Sequence, residues 1–136
     1  MIHLGCHTKS NIVSKSIASS GGMANYRGTT RITPNAKYSK ASIKCDTILL
    51  DEHSISNTYP NNIVGNATSF LEHEATVSKI NEEKLFYLKS KGIREDDAKE
   101  MFIMGFIQDF KKELPMEYDV ELYRLLKNVK NNHFQN

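Results

Sequence analysis

The 136-residue sequence has no tryptophan, only two cysteines, three prolines and seven glycines. Each shortage closes off a reading. Cys6 and Cys45 stand 39 positions apart, which suits neither a CxxC redox pair nor a zinc knuckle. Two free thiols in a reducing intracellular compartment are expected instead. Without tryptophan to stack a sugar ring, Glu72 and Glu74 make a poor glycosidase pair despite their spacing. The longest purely apolar run is the tetrapeptide at 101–104, far short of a bilayer span. The N-terminal "MIHLGCHTKS" lacks a basic stretch followed by an apolar core, so it does not read as a signal peptide. Charge of one sign is also missing. Residues 1–80 carry eight Lys/Arg against five Asp/Glu, and residues 81–136 carry ten against eleven. No basic run is long enough for a nucleic-acid surface. Neither nucleic acid nor membrane is an expected partner.

What is present changes character near Ile80. Before it, β-branched and small polar residues interleave in short runs at 11–19, 26–33, 40–50 and 67–80. Turn signals separate them at Gly21-Gly22, Pro34-Asn35, Asp51-Glu52 and Pro60-Asn61-Asn62. Tight two-residue hairpin turns are absent, so residues 1–80 are expected to form stacked parallel strands rather than antiparallel hairpins. Coils of a parallel β-helix fit this pattern, and a sandwich also does. After Ile80 the period becomes helical. Asn81 caps a first helix with Leu85, Phe86 and Leu88 as its apolar stripe, ended by Gly92. A second starts at Glu95-Asp96-Asp97 and runs to Leu114, where Pro115 stops it. A third covers about residues 117–129, and the tail "NNHFQN" is expected to fray. The division expected is a strand region, 1–80, and a three-helix C-terminal region, 81–136. The strand coils show no N-terminal cap, so the expectation is the C-terminal part of a longer protein.

The stretch "SFLEHEATVSKI" raises the question of chemistry, because an acid–His–acid triplet interrupts a strand pattern. Alternation puts Leu71, His73, Ala75 and Val77 on one face and Glu72, Glu74, Thr76 and Ser78 on the other. One undistorted strand cannot present His73 and Glu74 to the same ion from the same side. A core histidine with two solvated acids is the plain alternative. The sequence "HEATV" is not a zinc-protease motif, since the helix and second histidine are missing. In "SIKCDTILL", Cys45 shares a face with Ala41, Ile43, Thr47 and Leu49, which suits a buried small hydrophobe. Asp46 beside it opposes ionisation of the thiol. His3, Cys6 and His7 offer three donors for a soft metal, with chance clustering as the simpler reading. The sequon Asn66-Ala67-Thr68 has no role in a reducing compartment. Gly21-Gly22 lacks the setting of a phosphate loop.

Seven strings in order go beyond composition: "IVSKSIAS", "NYRGTTRI", "KCDTILL", "NTYP", "LEHEATVSKI", "EEKLFYLKSKGI" and "GFIQDFKKELPMEY". Together, over about residues 2–126, they resemble the C-terminal segment of the SufB/SufD family of iron–sulfur cluster assembly proteins. The string "HEAT", where the SufD branch typically has "HGAT", favours the SufB branch. The resemblance implies a right-handed parallel β-helix followed by C-terminal helices. It implies a scaffold rather than an enzyme, pairing with SufD through the β-helix and docking the SufC ATPase through the helical region. Such a complex builds a transient cluster from iron and persulfide sulfur, in bacterial cytoplasm or plastid stroma. The family's cluster-related cysteine falls on Cys45, and its histidine and glutamate fall on His73 and Glu74. The resemblance thus makes these three the expected cluster and iron ligands. A pure docking platform for an ATPase is the alternative. Cys6 and His7 stand in "GCHT", where the family usually has Lys and Asn, and inherit no role. Asn61, Asn62 and Arg94 also depart from the usual residues, at positions read as turns with little consequence.

Overall fold

The computed structural model describes residues 1–111 and 114–133, with side chains for all of these except 109, 111, 119 and 126–133. The strands are β1 (Ile2–His3), β2 (Lys9–Ala18), β3 (Met23–Ile32), β4 (Lys40–Leu49), β5 (Ile55–Val64) and β6 (Phe70–Lys79). The helices are α1 (Glu82–Ser90), α2 (Glu95–Lys111) and α3 (Met116–His133). Odd strands form one sheet, β1-β3-β5, and even strands another, β2-β4-β6. Every pairing between these strands is parallel, as the missing hairpin turns led us to expect. Successive strands therefore never pair with each other. Each pairs with the strand after next, at an offset of 31 residues for Lys9↔Lys40, 32 for Met23↔Ile55 and 30 for Lys40↔Phe70.

Two strand expectations need correction. Pro60-Asn61-Asn62 is not a turn, because all three lie inside β5. Pro60 sits on a sheet edge, where its missing N–H leaves no ladder bond unmade. The short β1 also went unread; two residues carry too little pattern to see.

The alternation of faces decides what is buried. On β3, Thr30 and Ile32 are fully inside, and on β4 so are Ala41, Ile43, Cys45 and Thr47. Ile32, Ala36 and Ala41 form the tightest apolar cluster, with half-buried Leu71 packed against it. At the corner leading into β2, β4 and β6, hydroxyl residues recur at the strand offset. Ser39 Oγ accepts from the Thr8 amide at 3.2 Å, and Ser69 Oγ accepts from the Ser39 amide at 2.9 Å. These side chains satisfy backbone donors that a sharp corner would otherwise leave bare.

The helices start and stop where side chains dictate. Asn81 Oδ1 accepts from the Lys84 amide at 2.9 Å, which caps α1. Gly92, at φ +85°, ends it: its amide donates to Lys89 O at 2.9 Å and the Ile93 amide to Leu88 O at 3.2 Å. The stripe of α1 is narrower than its composition suggests. Leu85 and Leu88 are half-buried three residues apart, while Phe86, a third of a turn from Leu85, is 74% exposed. Helix α2 is described through Lys111; residues 112 and 113 of its expected end lie outside the described residues, Leu114 is not helical, and α3 begins at Met116 immediately after Pro115. Helix α3 continues through His133, so residues 131–133 of the tail are helical and 134–136 lie outside the described residues. The chain divides into two compact units, Met1–Lys99 and Glu100–Asn136. The first holds all six strands and α1. No helix among the described residues is long and apolar enough to cross a membrane.

Candidate functional site

Strand β4 brings Cys45 inside, 5% exposed, between Ile43 and Thr47 on the inner face. The thiol is free. Strand β6 lies beside β4 in the same sheet, with His73 opposite Ile43 and Ala75 opposite Cys45. His73 faces inward with Leu71, and it leans diagonally toward Cys45. Its Nε2 comes within 3.5 Å of Cys45 Sγ. Glu72 and Glu74 are exposed on the outer face. The face alternation read from the sequence therefore holds for these residues, and it separates the expected ligands. Cys45 and His73 come together; Glu74 does not join them. Ala75 and Val77, expected on the inner face with His73, are exposed because β6 is an edge strand there.

Two further residues complete the surroundings, and neither was singled out from the sequence. Tyr26 of β3 points inward from the facing sheet. Its phenol lies near enough to the Cys45 sulfur for each to influence the other's ionisation, and its ring meets the His73 ring edge-on at 6.2 Å between centroids. Asn62 of β5 brings Nδ2 within 3.4 Å of His73 Nδ1. The parity of "YRGTTRI", with Tyr26, Thr30 and Ile32 all even-numbered, is the signal that could have placed Tyr26 inside. Asn62 was hidden by the reading of its segment as a turn.

Burial pushes the Cys45 thiol up, the Tyr26 phenol draws it partly back, and the Asp46 charge adds to the rise. The Tyr26 phenol is also raised, by burial first and then by the neighbouring sulfur. Asp46 lies 4.0 Å from the Lys15 ammonium.

The donor set suits a soft cation. Thiolate sulfur and imidazole nitrogen are ligands for zinc, copper and iron. On one tetrahedral ion, sulfur at about 2.3 Å and nitrogen at about 2.0 Å stand roughly 3.5 Å apart. Cys45 Sγ and His73 Nε2 are separated by 3.5 Å. That separation equals the span of two corners of one coordination sphere, and it is also that of a hydrogen bond between thiol and imidazole. The pair does not supply the other two corners: among the described residues, no group of three or more His, Cys, Asp and Glu side chains could hold a metal ion.

The cluster at His3, Cys6 and His7 is not a metal site of this kind. His3 is buried, with Nδ1 at 2.6 Å from Thr8 Oγ1 and Nε2 at 2.8 Å from Ser10 Oγ, so both ring nitrogens are engaged. Cys6 Sγ donates to Asn35 O at 3.1 Å. The His7 ring stacks on Tyr38 at 5.1 Å. Asn66 of the sequon is likewise structural, donating to Thr33 O and Ala36 O at 3.0 and 3.1 Å.

Residues 1–106 match the family described as SUF system FeS cluster assembly, SufBD core domain. An iron–sulfur cluster assembly SufBD family protein of Staphylococcus haemolyticus is 54% identical over 127 residues, 93% of this chain and 27% of that protein. The iron–sulfur cluster assembly protein SufB of Bacillus subtilis is 53% identical over the same shares. The chain thus spans about a quarter of the length of the curated relatives it matches.

Proposed function

Since the chain belongs to the SufBD family of iron–sulfur cluster assembly proteins, we propose that it is the part of a SufB-type scaffold that holds the nascent cluster. The observation that carries this reading is the convergence of Cys45 Sγ and His73 Nε2 at 3.5 Å, the span of two ligands on one ion. The cluster is cargo here, and the residues act by binding and release. Cys45 supplies the sulfur ligand, acting as thiolate. His73 supplies an imidazole nitrogen from the same inner face. Glu74 serves from the outer face, where a partner subunit closes the sphere or the carboxylate takes up a proton. The role is that of an assembly scaffold and not of an enzyme; the ATPase activity belongs to a SufC partner.

The same reading assigns the rest of the chain. The alternation of strands between two sheets, at a steady offset near thirty residues, is what successive coils of a right-handed parallel β-helix give. Residues 1–80 are then the last coils of such a core and the surface that meets SufD. Residues 81–136 are the region that docks SufC. The exposed rings of α1, Phe86 at 74% and Tyr87 at 60%, favour a docking role for the helices, since neither is needed inside. A reducing bacterial cytoplasm, or a plastid stroma, suits two free thiols.

The test is reconstitution of the intact protein with SufD and SufC, scoring cluster formation in wild type and Cys45→Ser. Loss in the variant supports the cluster-holding role. Full cluster formation in Cys45→Ser would reduce the strand region to a docking platform.

A further inference from the structure

The corners leading into β2, β4 and β6 stack on one side of the strand region. The His7 amide donates to Lys37 O at 2.8 Å, and the Phe70 amide to Ser39 O at 2.9 Å. Residues 4–9, 33–40 and 65–70 build this side, with Lys9, Lys37 and Lys40 and no acidic residue. The corner at the other end of β4 carries Asp51 and Glu52 and no lysine or arginine. Lys9, Lys37 and Lys40 are exposed, and none of them forms a salt bridge among the described residues. Lys9 and Lys40 are opposite each other in the ladder, with their backbones about 4.8 Å apart. Like charges held that close repel, so the fold alone gives no reason for them. The rings at this side carry a cost too. His7 and Tyr38 are separated by the ladder offset of 31 residues, and both lie in the left-handed region, at φ 55° and 56°. Glycine takes that conformation without strain, as Gly21 does at φ 72°. Here two ring-bearing residues take it, and their rings stack at 5.1 Å, 17° from parallel. Phe70 is exposed on the same side, with Lys40 Nζ over its ring at 5.4 Å.

We infer that this side is a docking surface for a protein segment rich in carboxylates: Lys9, Lys37 and Lys40 meet its charge, and the His7–Tyr38 stack and Phe70 receive an apolar side chain. The inference does not depend on the reading of Cys45 and His73. Lysines with no acid among them complement carboxylates, and aromatic rings are common interface anchors. Nucleic acid fits less well. Tyr38 has one face covered by His7 and Phe70 has one covered by Lys40, and three lysines are few for a phosphate backbone.

The experiment uses the intact protein and a short labelled peptide of alternating glutamate and serine with one central leucine, read by fluorescence anisotropy. Wild type binds it and does not bind the same peptide with glutamine in place of glutamate. Lys9→Gln with Lys40→Gln weakens binding by about tenfold or more, and the melting temperature holds or rises because the repulsion is gone. Tyr38→Gly weakens binding severalfold without lowering the melting temperature, since glycine suits that backbone. Arg27→Gln with Arg31→Gln removes the same charge from the other sheet and leaves binding unchanged. A peptide that does not bind wild type, or that binds both double variants alike, overturns the inference. So does a lower melting temperature with unchanged binding in Lys9→Gln/Lys40→Gln, which makes the lysines structural. An oligothymidylate that binds more tightly than the peptide, and is lost in the same variant, makes the partner a nucleic acid instead. Self-association of wild type that the variant abolishes, with no peptide bound, gives the surface to a second copy of the chain.

Discussion

Cys45 Sγ and His73 Nε2 meet at 3.5 Å although 28 residues separate them in the chain. The register accounts for it. His73 is directly opposite Ile43, and Cys45 is two residues further along the same inner face. Diagonal neighbours at that spacing are within reach of a long side chain. The histidine crosses the diagonal; the cysteine, being short, stays where the strand puts it.

Unequal roles follow for three substitutions. Under the proposed function, Cys45→Ser should abolish cluster formation in the reconstituted complex. His73→Ala lowers it severalfold and leaves the melting temperature close to wild type, because a half-buried edge-strand side chain supports little packing. Glu74→Ala lowers cluster yield only when the partner subunit is present, since the carboxylate is on the outer face. Parallel thermal melts and cluster yields check all three. A collapse of His73→Ala to an unfolded chain would assign His73 to the core instead.

Phe86 and Tyr87 are exposed neighbours on α1, a helix with no buried residue. If the proposed docking role holds, Phe86→Ser with Tyr87→Ser should weaken binding of the proposed ATPase partner by at least tenfold. Stability should change by no more than about 0.5 kcal/mol, the usual range for surface positions. Calorimetric titration of the partner onto the intact double variant reads the first effect, and denaturant unfolding the second.

Asp51 ties the corner between β4 and β5. Its Oδ1 accepts from the amides of His53 and Ser54 at 2.9 and 2.8 Å, and Oδ2 accepts from Ser54 Oγ at 2.8 Å. Burial works to raise this carboxyl, but the hydrogen bonds outweigh it and hold it below its ordinary 3.8. A carboxyl lowered by folding stabilises the fold above its unfolded value, and that contribution fades as pH falls through the lowered value. Asp51→Ala should cost about 1–2 kcal/mol near neutrality, and less in acid. Denaturant midpoints at the two pH values check the sign.

Glu95, the first residue of α2, sits between Lys89 at 2.7 Å and Lys99 at 2.9 Å. Hydrogen bonds from these two lysines, Lys89 first, lower its carboxyl from 4.5 to about 2. The stabilisation it gives is complete above pH 4.5 and disappears as pH falls toward about 2. Because the group is exposed, salt should shrink the shift. Carboxyl carbon chemical shifts recorded through an acid titration, at low and high salt, should show a midpoint well below 4.5 that rises with salt.

The order of elements was legible because period and punctuation agree over most of the chain. Asn81 and Gly92 bracket α1 through hydrogen bonds that any asparagine and glycine in those positions would make. Parallel pairing was legible from the missing hairpin turns. Strand β5 was not, because "PNN" is turn chemistry in isolation and only the open edge of the sheet makes it acceptable as strand. Arg94, set aside as a turn residue of little consequence, holds Asp97 at 2.9 Å at the start of α2. At the site, the pattern of faces correctly separated His73 from Glu74. What no pattern within one strand could show is which residue of the other sheet arrives opposite, and so Tyr26 and Asn62 went unnoticed. Their contacts depend on the corners between strands, whose geometry is set by hydroxyl and amide side chains rather than by any apolar period.

The spacing of the ladders also governs how the chain acquires its structure in time. Strands β2, β3 and β4 each find their ladder partner 30 to 32 residues later, and none of them forms ladder bonds with its immediate successor. Closing a loop of that length costs about 3 kcal/mol of chain entropy before the first ladder bond forms. At ribosomal speed, a strand emerges and then waits roughly 2–6 seconds for its partner to be synthesised. During that wait its backbone donors and acceptors are open to any other extended chain. Recruitment of chaperones to the nascent chain should therefore peak while β4 is out and β6 is not, the interval in which the sulfur of Cys45 has not yet met its histidine.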